Sequence, residues 1–165
     1  MQKITTFLWF DHQAEEAAEH YVSVFSRRPG ADPEASKVLD VSRYGEAGPG
    51  EPGSAMTVTL QLDGQRFIAL NGGPHHTFNE AISLFVSCGS QEEVDFLWGE
   101  LTEGGEESMC GWLKDRFGLS WQIVPDRLME LMNDPDPARG KRVMEAMLKM
   151  RKIDVPTLER AAEAA

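Results

Sequence analysis

The order strand, helix, strands runs twice along this chain, and few folds accommodate such a duplication. Ile4-Thr-Thr-Phe-Leu-Trp-Phe10 is rich in β-branched and aromatic residues and predicts a strand. Asp11 stands where it can cap a helix, with Glu15 and Glu16 near the positive end of the helix dipole. Ala14, Ala17, Ala18, Tyr21, Val22 and Phe25 then recur at helical spacing, and Pro29-Gly30 ends the element. Three strands are expected next, over Lys37–Tyr44, Met56–Leu62 and Arg66–Asn71. Met56, Val58, Leu60 and Leu62 alternate with Thr57, Thr59 and Gln61, the clearest period-two pattern in the chain. Asp63-Gly64 supplies the hairpin turn, and the Gly- and Pro-rich Gly45–Ala55 stretch reads as a mobile loop.

The pattern then restarts. Ile82–Cys88 predicts a strand, and Ser90-Gln-Glu-Glu93 has the form of a capping box. Val94, Leu97, Trp98 and Leu101 make the buried stripe of a second helix, stopped at Gly104-Gly105. Two strands follow, roughly Glu107–Leu113 and Leu119–Val124, with a turn at Phe117-Gly118. After Pro125 the chain turns helical: Asp136-Pro137 opens a helix with Val143, Met144, Met147 and Leu148 along one side, and Asp154-Val-Pro156 opens a last short one.

Charge narrows the function classes. A net charge of −11 over 165 residues opposes binding to nucleic acid, which needs clustered Lys and Arg, and to anionic membrane surfaces. No run approaches transmembrane length, and the Met1-Gln-Lys-Ile start carries no apolar signal region. Cys88 and Cys110 are too few for a disulfide scaffold, so reduced thiols and a cytoplasmic location are expected.

Several residues are candidates for chemistry. Asn71 and Gln122 are amides at strand positions, where a polar side chain needs a reason; the alternatives are a turn before Gly72 for Asn71 and backbone pairing for Gln122. Trp9, Trp112 and Trp121 can wall a ligand or fill a core, with Trp121 favoured as core. Cys110 falls on an expected strand but has no visible activating base, and Cys88 reads as core. His75-His76 lacks a third ligand, His12 and His20 read as surface residues, and Lys114-Asp115-Arg116 reads as a solvated hairpin corner.

Four blocks resemble one family. They are Phe7-Leu-Trp-Phe-Asp11, Phe67-Ile-Ala-Leu-Asn-Gly-Gly-Pro74, Phe78-Asn-Glu-Ala-Ile-Ser83, and Cys110-Gly-Trp-Leu-Lys-Asp115 with Ser120-Trp-Gln-Ile-Val-Pro125. Together they resemble the PhnB-like, or 3-demethylubiquinone-9 3-methyltransferase-like, group of the glyoxalase/bleomycin-resistance (vicinal oxygen chelate) superfamily. The likeness runs from Ile4 into the C-terminal helices. It implies an α+β fold of two βαβββ modules, about 1–75 and 78–125, each curling a sheet around a cavity. A helical extension, 126–165, and a homodimer complete the expectation.

Superfamily enzymes hold a divalent metal through His or Glu side chains on four strands. The resemblance carries those positions to Thr6, Asn71, Ser83 and Gln122. None offers the imidazole or carboxylate that a catalytic divalent ion prefers, and four neutral donors do not offset the desolvation of a dication. No metal and no cofactor are therefore expected. Nor do Gly72-Gly73 or Gly104-Gly105 form the strand-to-helix glycine loop usual for S-adenosylmethionine. The expected function is binding of a neutral aromatic or heterocyclic small molecule, with Trp9, Asn71, Ser83, Cys110, Trp112 and Gln122 as lining. An enzyme acting on a quinone-like substrate, including methyl transfer, is the first alternative. A metal-dependent lyase or dioxygenase with atypical ligands is the second.

Overall fold

A computed structural model describes residues 2–164. Met1, at the head of the start read above for a signal region, and Ala165 lie outside the described residues. The chain divides into two compact units, one ending at Phe78 and one beginning at Asn79.

In the first unit, β1 (Thr6–Phe10), α1 (Ala14–Arg27), β2 (Lys37–Arg43), β3 (Ala55–Leu62) and β4 (Gln65–Asn71) follow the βαβββ order. The sheet runs β1-β4-β3-β2, with β1 parallel to β4 and the other pairs antiparallel. The Met56–Leu62 alternation is the cause of its layering: Val58, Leu60 and Leu62 are buried with Leu8, Phe10, Phe67 and Ala69. Ala17, Ala18, Tyr21, Val24 and Phe25 of α1 are buried with them. Removing that apolar stripe from water is the main stabilising term of the unit. Asp63 and Gly64 both adopt positive φ, 46° and 81°, as a two-residue hairpin turn of this hand requires.

Two expectations for this unit are corrected. Asp11 does not cap α1, because the helix begins only at Ala14; the amide oxygen of Asn71 accepts from Ala14 N at 2.8 Å instead. The strand expected over Lys37–Tyr44, β2, ends at Arg43, and Tyr44 turns inward. Gly48 and Gly50 pass so close to its ring that a Cβ would fall 2.6 and 2.3 Å from ring carbons, so the glycine-rich loop is shaped around Tyr44.

The second unit repeats the order with β5 (Ser83–Cys88), α2 (Gln91–Thr102), β6 (Glu106–Glu107), β7 (Trp112–Lys114) and β8 (Ser120–Pro125). Its sheet runs β5-β8-β7-β6, with β5 parallel to β8. Ser90 caps α2, its Oγ accepting from Glu93 N at 3.2 Å, and the Glu93 carboxylate accepts from Gly89 N, one residue ahead of the cap, at 2.8 Å. Val94, Leu97, Trp98 and Leu101 are buried, as are Leu113, Trp121, Ile123 and Cys88.

The strand expected over Glu107–Leu113 is broken in the middle. Cys110 and Gly111 both take positive φ, 58° and 84°, which no strand tolerates. Their amides donate to Met150 O and Arg151 O, each at 2.8 Å, so distant carbonyls replace the sheet ladder there.

Beyond β8 come α3 (Asp126–Met132), α4 (Pro137–Met147) and α5 (Val155–Glu163). Val124, Leu128, Leu131, Val143, Ile153, Leu158 and Ala162 form a core of their own. Asp136 and Asp154 cap α4 and α5, each beside a proline in the first turn. Val143 is buried and Met147 packs on that core, but Met144 and Leu148, expected on the same side, are 37% and 56% exposed. Among the described residues no helix is long and apolar enough to cross a membrane.

Candidate functional site

Each sheet has one face covered by its helix and one that the helix leaves open, and strand parity decides which side chains reach the open face. In the second unit Trp121 and Ile123 are buried, so their neighbours Ser120 and Gln122 face the other way. Register adds Ser83 opposite Ser120, Phe85 opposite Gln122, Trp112 opposite Gln122 and Lys114 opposite Ser120. Ser83, Trp112 and Gln122, three of the residues singled out from sequence, thus share one face. Gln122 Nε2 donates to Ser83 Oγ at 2.9 Å, while its amide oxygen has no partner among the described residues. Phe85, 53% exposed beside Gln122, escaped the sequence reading, although its parity with Ser83 marks it.

Cys110 is placed elsewhere. It belongs to the turn before β7 rather than to a strand, and its thiol donates to Met147 O at 3.7 Å. Asp115 also departs from expectation, being 3% exposed where a solvated corner was predicted. One carboxylate oxygen accepts from Phe117 N at 2.9 Å and Leu119 N at 3.1 Å, and the other from Trp121 Nε1 at 2.8 Å. A short turn that must fold two amides and an indole inward needs one multivalent acceptor, and a carboxylate is the smallest side chain that provides it.

In the first unit the open face carries Phe7 and Trp9 of β1 with Ile68 and Leu70 of β4. Trp9 Nε1 donates to Gly73 O at 2.9 Å, and His76 meets the ring edge-on at 4.7 Å between centroids. Gly72 lies against the same ring, where a Cβ would approach it to 2.3 Å. The glycine pair therefore lets the backbone lie against Trp9.

Asn71 points to the other face. Besides capping α1, its amide nitrogen donates to Ala55 O at 3.0 Å, and its backbone carbonyl accepts from Tyr44 OH at 2.5 Å. Both ends of the amide are thus used within the fold. A crevice of about 410 Å³ opens beside it, lined among others by Asp11, His12, Tyr44, Glu51 and His75.

The donor set at the superfamily's metal positions does not fit a divalent ion. Thr6 and Ser83 are hydroxyls, Asn71 spends its oxygen on Ala14 N, and Gln122 presents an N–H₂ to Ser83. Among the described residues no three His, Cys, Asp or Glu side chains converge in a way that could hold a metal ion.

Charge on the second unit is arranged in pairs. The Lys114 ammonium bonds the Glu80 carboxylate, which holds Glu80 below the usual carboxylate range and Lys114 above the usual lysine range. Asp95 is likewise held low, chiefly by the Lys152 ammonium at 2.7 Å.

With this geometry in hand, similarity to other proteins can be placed on it. Residues 2–124 match the family described as 3-demethylubiquinone-9 3-methyltransferase. Among solved structures, a PhnB protein of Bacillus cereus given the same description is 38% identical, with a TM-score of 0.65 over 75% of this chain and 99% of that one. A protein from Pseudomonas aeruginosa is 19% identical, with a TM-score of 0.59 over 76% of this chain and its own full length, which speaks to fold alone. No curated protein matches the chain. The matched region stops at Val124, so α3, α4 and α5 lie beyond it.

Proposed function

Since the chain belongs to the 3-demethylubiquinone-9 3-methyltransferase family and has the doubled βαβββ order of the glyoxalase/bleomycin-resistance fold, we propose that it is a metal-free small-molecule-binding protein. Its ligand is a neutral aromatic or heterocyclic compound held on the open sheet face of the second unit. The observation that carries this reading is the Ser83–Gln122–Trp112 group with Phe85 beside it. Aromatic surface there offers stacking, and the free amide oxygen of Gln122 accepts one hydrogen bond that orients the ligand. On the first unit Trp9 offers a further aromatic surface. Asn71 and Cys110 are assigned to the scaffold, since their polar atoms are engaged within the fold.

The metal-free part of the reading rests on donor chemistry, because the four positions that would hold the ion are neutral and partly committed to other bonds. Without that ion the superfamily's electrophilic chemistries have no activating group in this residue set. Nor do the open-face residues include an imidazole or carboxylate pair able to pass a proton. Binding or sequestration follows, in a cytoplasmic homodimer; a chain with only two cysteines, Cys88 and Cys110, accords with a reducing compartment.

The test is a titration of the protein with quinoline and with 1,4-naphthoquinone, followed by amide and indole NMR. Saturable shifts at Trp112 and Gln122 are expected, with Gln122→Leu weakening affinity about three- to tenfold, the worth of one hydrogen bond. Affinity unchanged in Gln122→Leu and in Trp112→Ala refutes the site. Methyl transfer, suggested by the family description, predicts thermal stabilisation by millimolar S-adenosylmethionine; no stabilisation excludes it.

A further inference from the structure

A second crevice, of about 140 Å³, lies on the second unit beside the open face described above. Its acidic rim is Glu80, Glu106 and Glu107, with Trp112, Lys114 and Ser120 also lining it. Ser120 is 1% exposed, and its hydroxyl has no hydrogen-bond partner among the described residues. A buried hydroxyl without a partner is uncommon, because burial strips it of water and returns nothing. Here Ser120 is among the residues that line a polar hollow, on the sheet face it shares with Trp112 and Lys114.

Pairing leaves one negative charge over. Glu80 is matched by Lys114. Glu107 accepts from Trp98 Nε1 at 2.7 Å and faces Arg151 at 3.6 Å. Glu106 has no ion pair among the described residues, although its charge acts on Lys114 at longer range. The hollow thus combines a surplus carboxylate, an indole wall that attracts cations and an acceptor hydroxyl.

We propose that this crevice binds the ammonium group of a small organic amine. An ammonium carries three N–H donors on one positive centre, suited to Ser120 Oγ, the Glu106 carboxylate and the Trp112 face together. A bare metal ion is the poorer occupant, since the carboxylates here do not converge as ligands. The volume admits a headgroup of about five non-hydrogen atoms, at the roughly 30 Å³ that a water takes in the liquid. The site shares Trp112 with the face described above but does not depend on the neutral-ligand reading.

Ethylammonium chloride is the probe, titrated into the full chain with NMR detection at the Trp112 indole N–H and the Ser120 amide. Saturable shifts are expected, and equal concentrations of sodium chloride or ethanol should not reproduce them. Ser120→Ala and Glu106→Gln should each weaken binding about three- to tenfold. Glu106 is exposed, so the second variant keeps the test decisive should the first perturb the fold. Shifts that never saturate, that sodium chloride reproduces, or that persist with unchanged affinity in both variants overturn the proposal.

Discussion

Replacing Asn71 by alanine separates a scaffold role from a ligand-binding one. The substitution removes the acceptor for Ala14 N, a side-chain cap at the start of α1, and the donor to Ala55 O on β3. Loss of a helix cap costs about 1 kcal/mol and loss of a neutral hydrogen bond about as much again. The site is half-buried, so water can reach the released groups, and the sum stays near 2 kcal/mol. For a chain of this length that lowers Tm by roughly 4–8 °C. Asn71→Asp should recover part of the loss. It restores the acceptor and places a negative charge at the helix N-terminus, worth about 0.3–1 kcal/mol, but sets a carboxylate against Ala55 O. Urea unfolding followed by circular dichroism gives the energies, and hydrogen exchange over Ala14–Ala18 reports the first turn directly. Stability within 0.5 kcal/mol of the parent, with unchanged exchange in that turn, refutes the reasoning. Abolished quinoline binding alongside would return Asn71 to the ligand.

Asp115→Ala should cost about 3–5 kcal/mol in urea unfolding, since it strands two amides and the Trp121 indole in a buried turn; Asp115→Asn should cost less. Gly105→Ala should destabilise by about 3 kcal/mol or more, because its Cβ would sit 2.1 Å from Lys114 O, a backbone atom that cannot yield. Gly99→Ala, with open space around it inside α2, should stabilise by about 0.5–1 kcal/mol in the same assay. Lys152→Met should raise the Asp95 pKa toward its ordinary value, measured by NMR. A carboxylate depressed by folding adds stability above its unfolded pKa, near 3.9, and loses it as pH falls through the lower folded value. The parent's advantage over Lys152→Met should therefore be well under 1 kcal/mol at pH 7, given how exposed the pair is, and should fade as pH falls below the unfolded pKa and through the lower folded one.

The element order was legible because both helices carry a clean apolar stripe and β3 alternates without interruption. The Ser90 cap and the Asp63-Gly64 turn were also readable, since each depends on residues within a few positions of one another. Asn71 was not. Phe67 and Ala69 lie on one face of β4, Ile68 and Leu70 on the other, so hydrophobicity alone cannot say which face Asn71 shares. Asp115 looked solvated because it sits between Lys114 and Arg116, and only the fold brings Trp121 to it. The break at Cys110 was invisible for a related reason. It is imposed by Met150 and Arg151, carbonyls some forty positions away.

That long-range grip on Cys110 and Gly111 bears on how the chain is made. Synthesis delivers the hairpin of β7 and β8 well before Met150 and Arg151, so the nascent hairpin emerges without the carbonyls that later fasten it. The two left-handed residues just before it are held only once the stretch between α4 and α5 arrives. Closure of that turn is thereby tied to synthesis of the stretch after α4 rather than to completion of the hairpin itself.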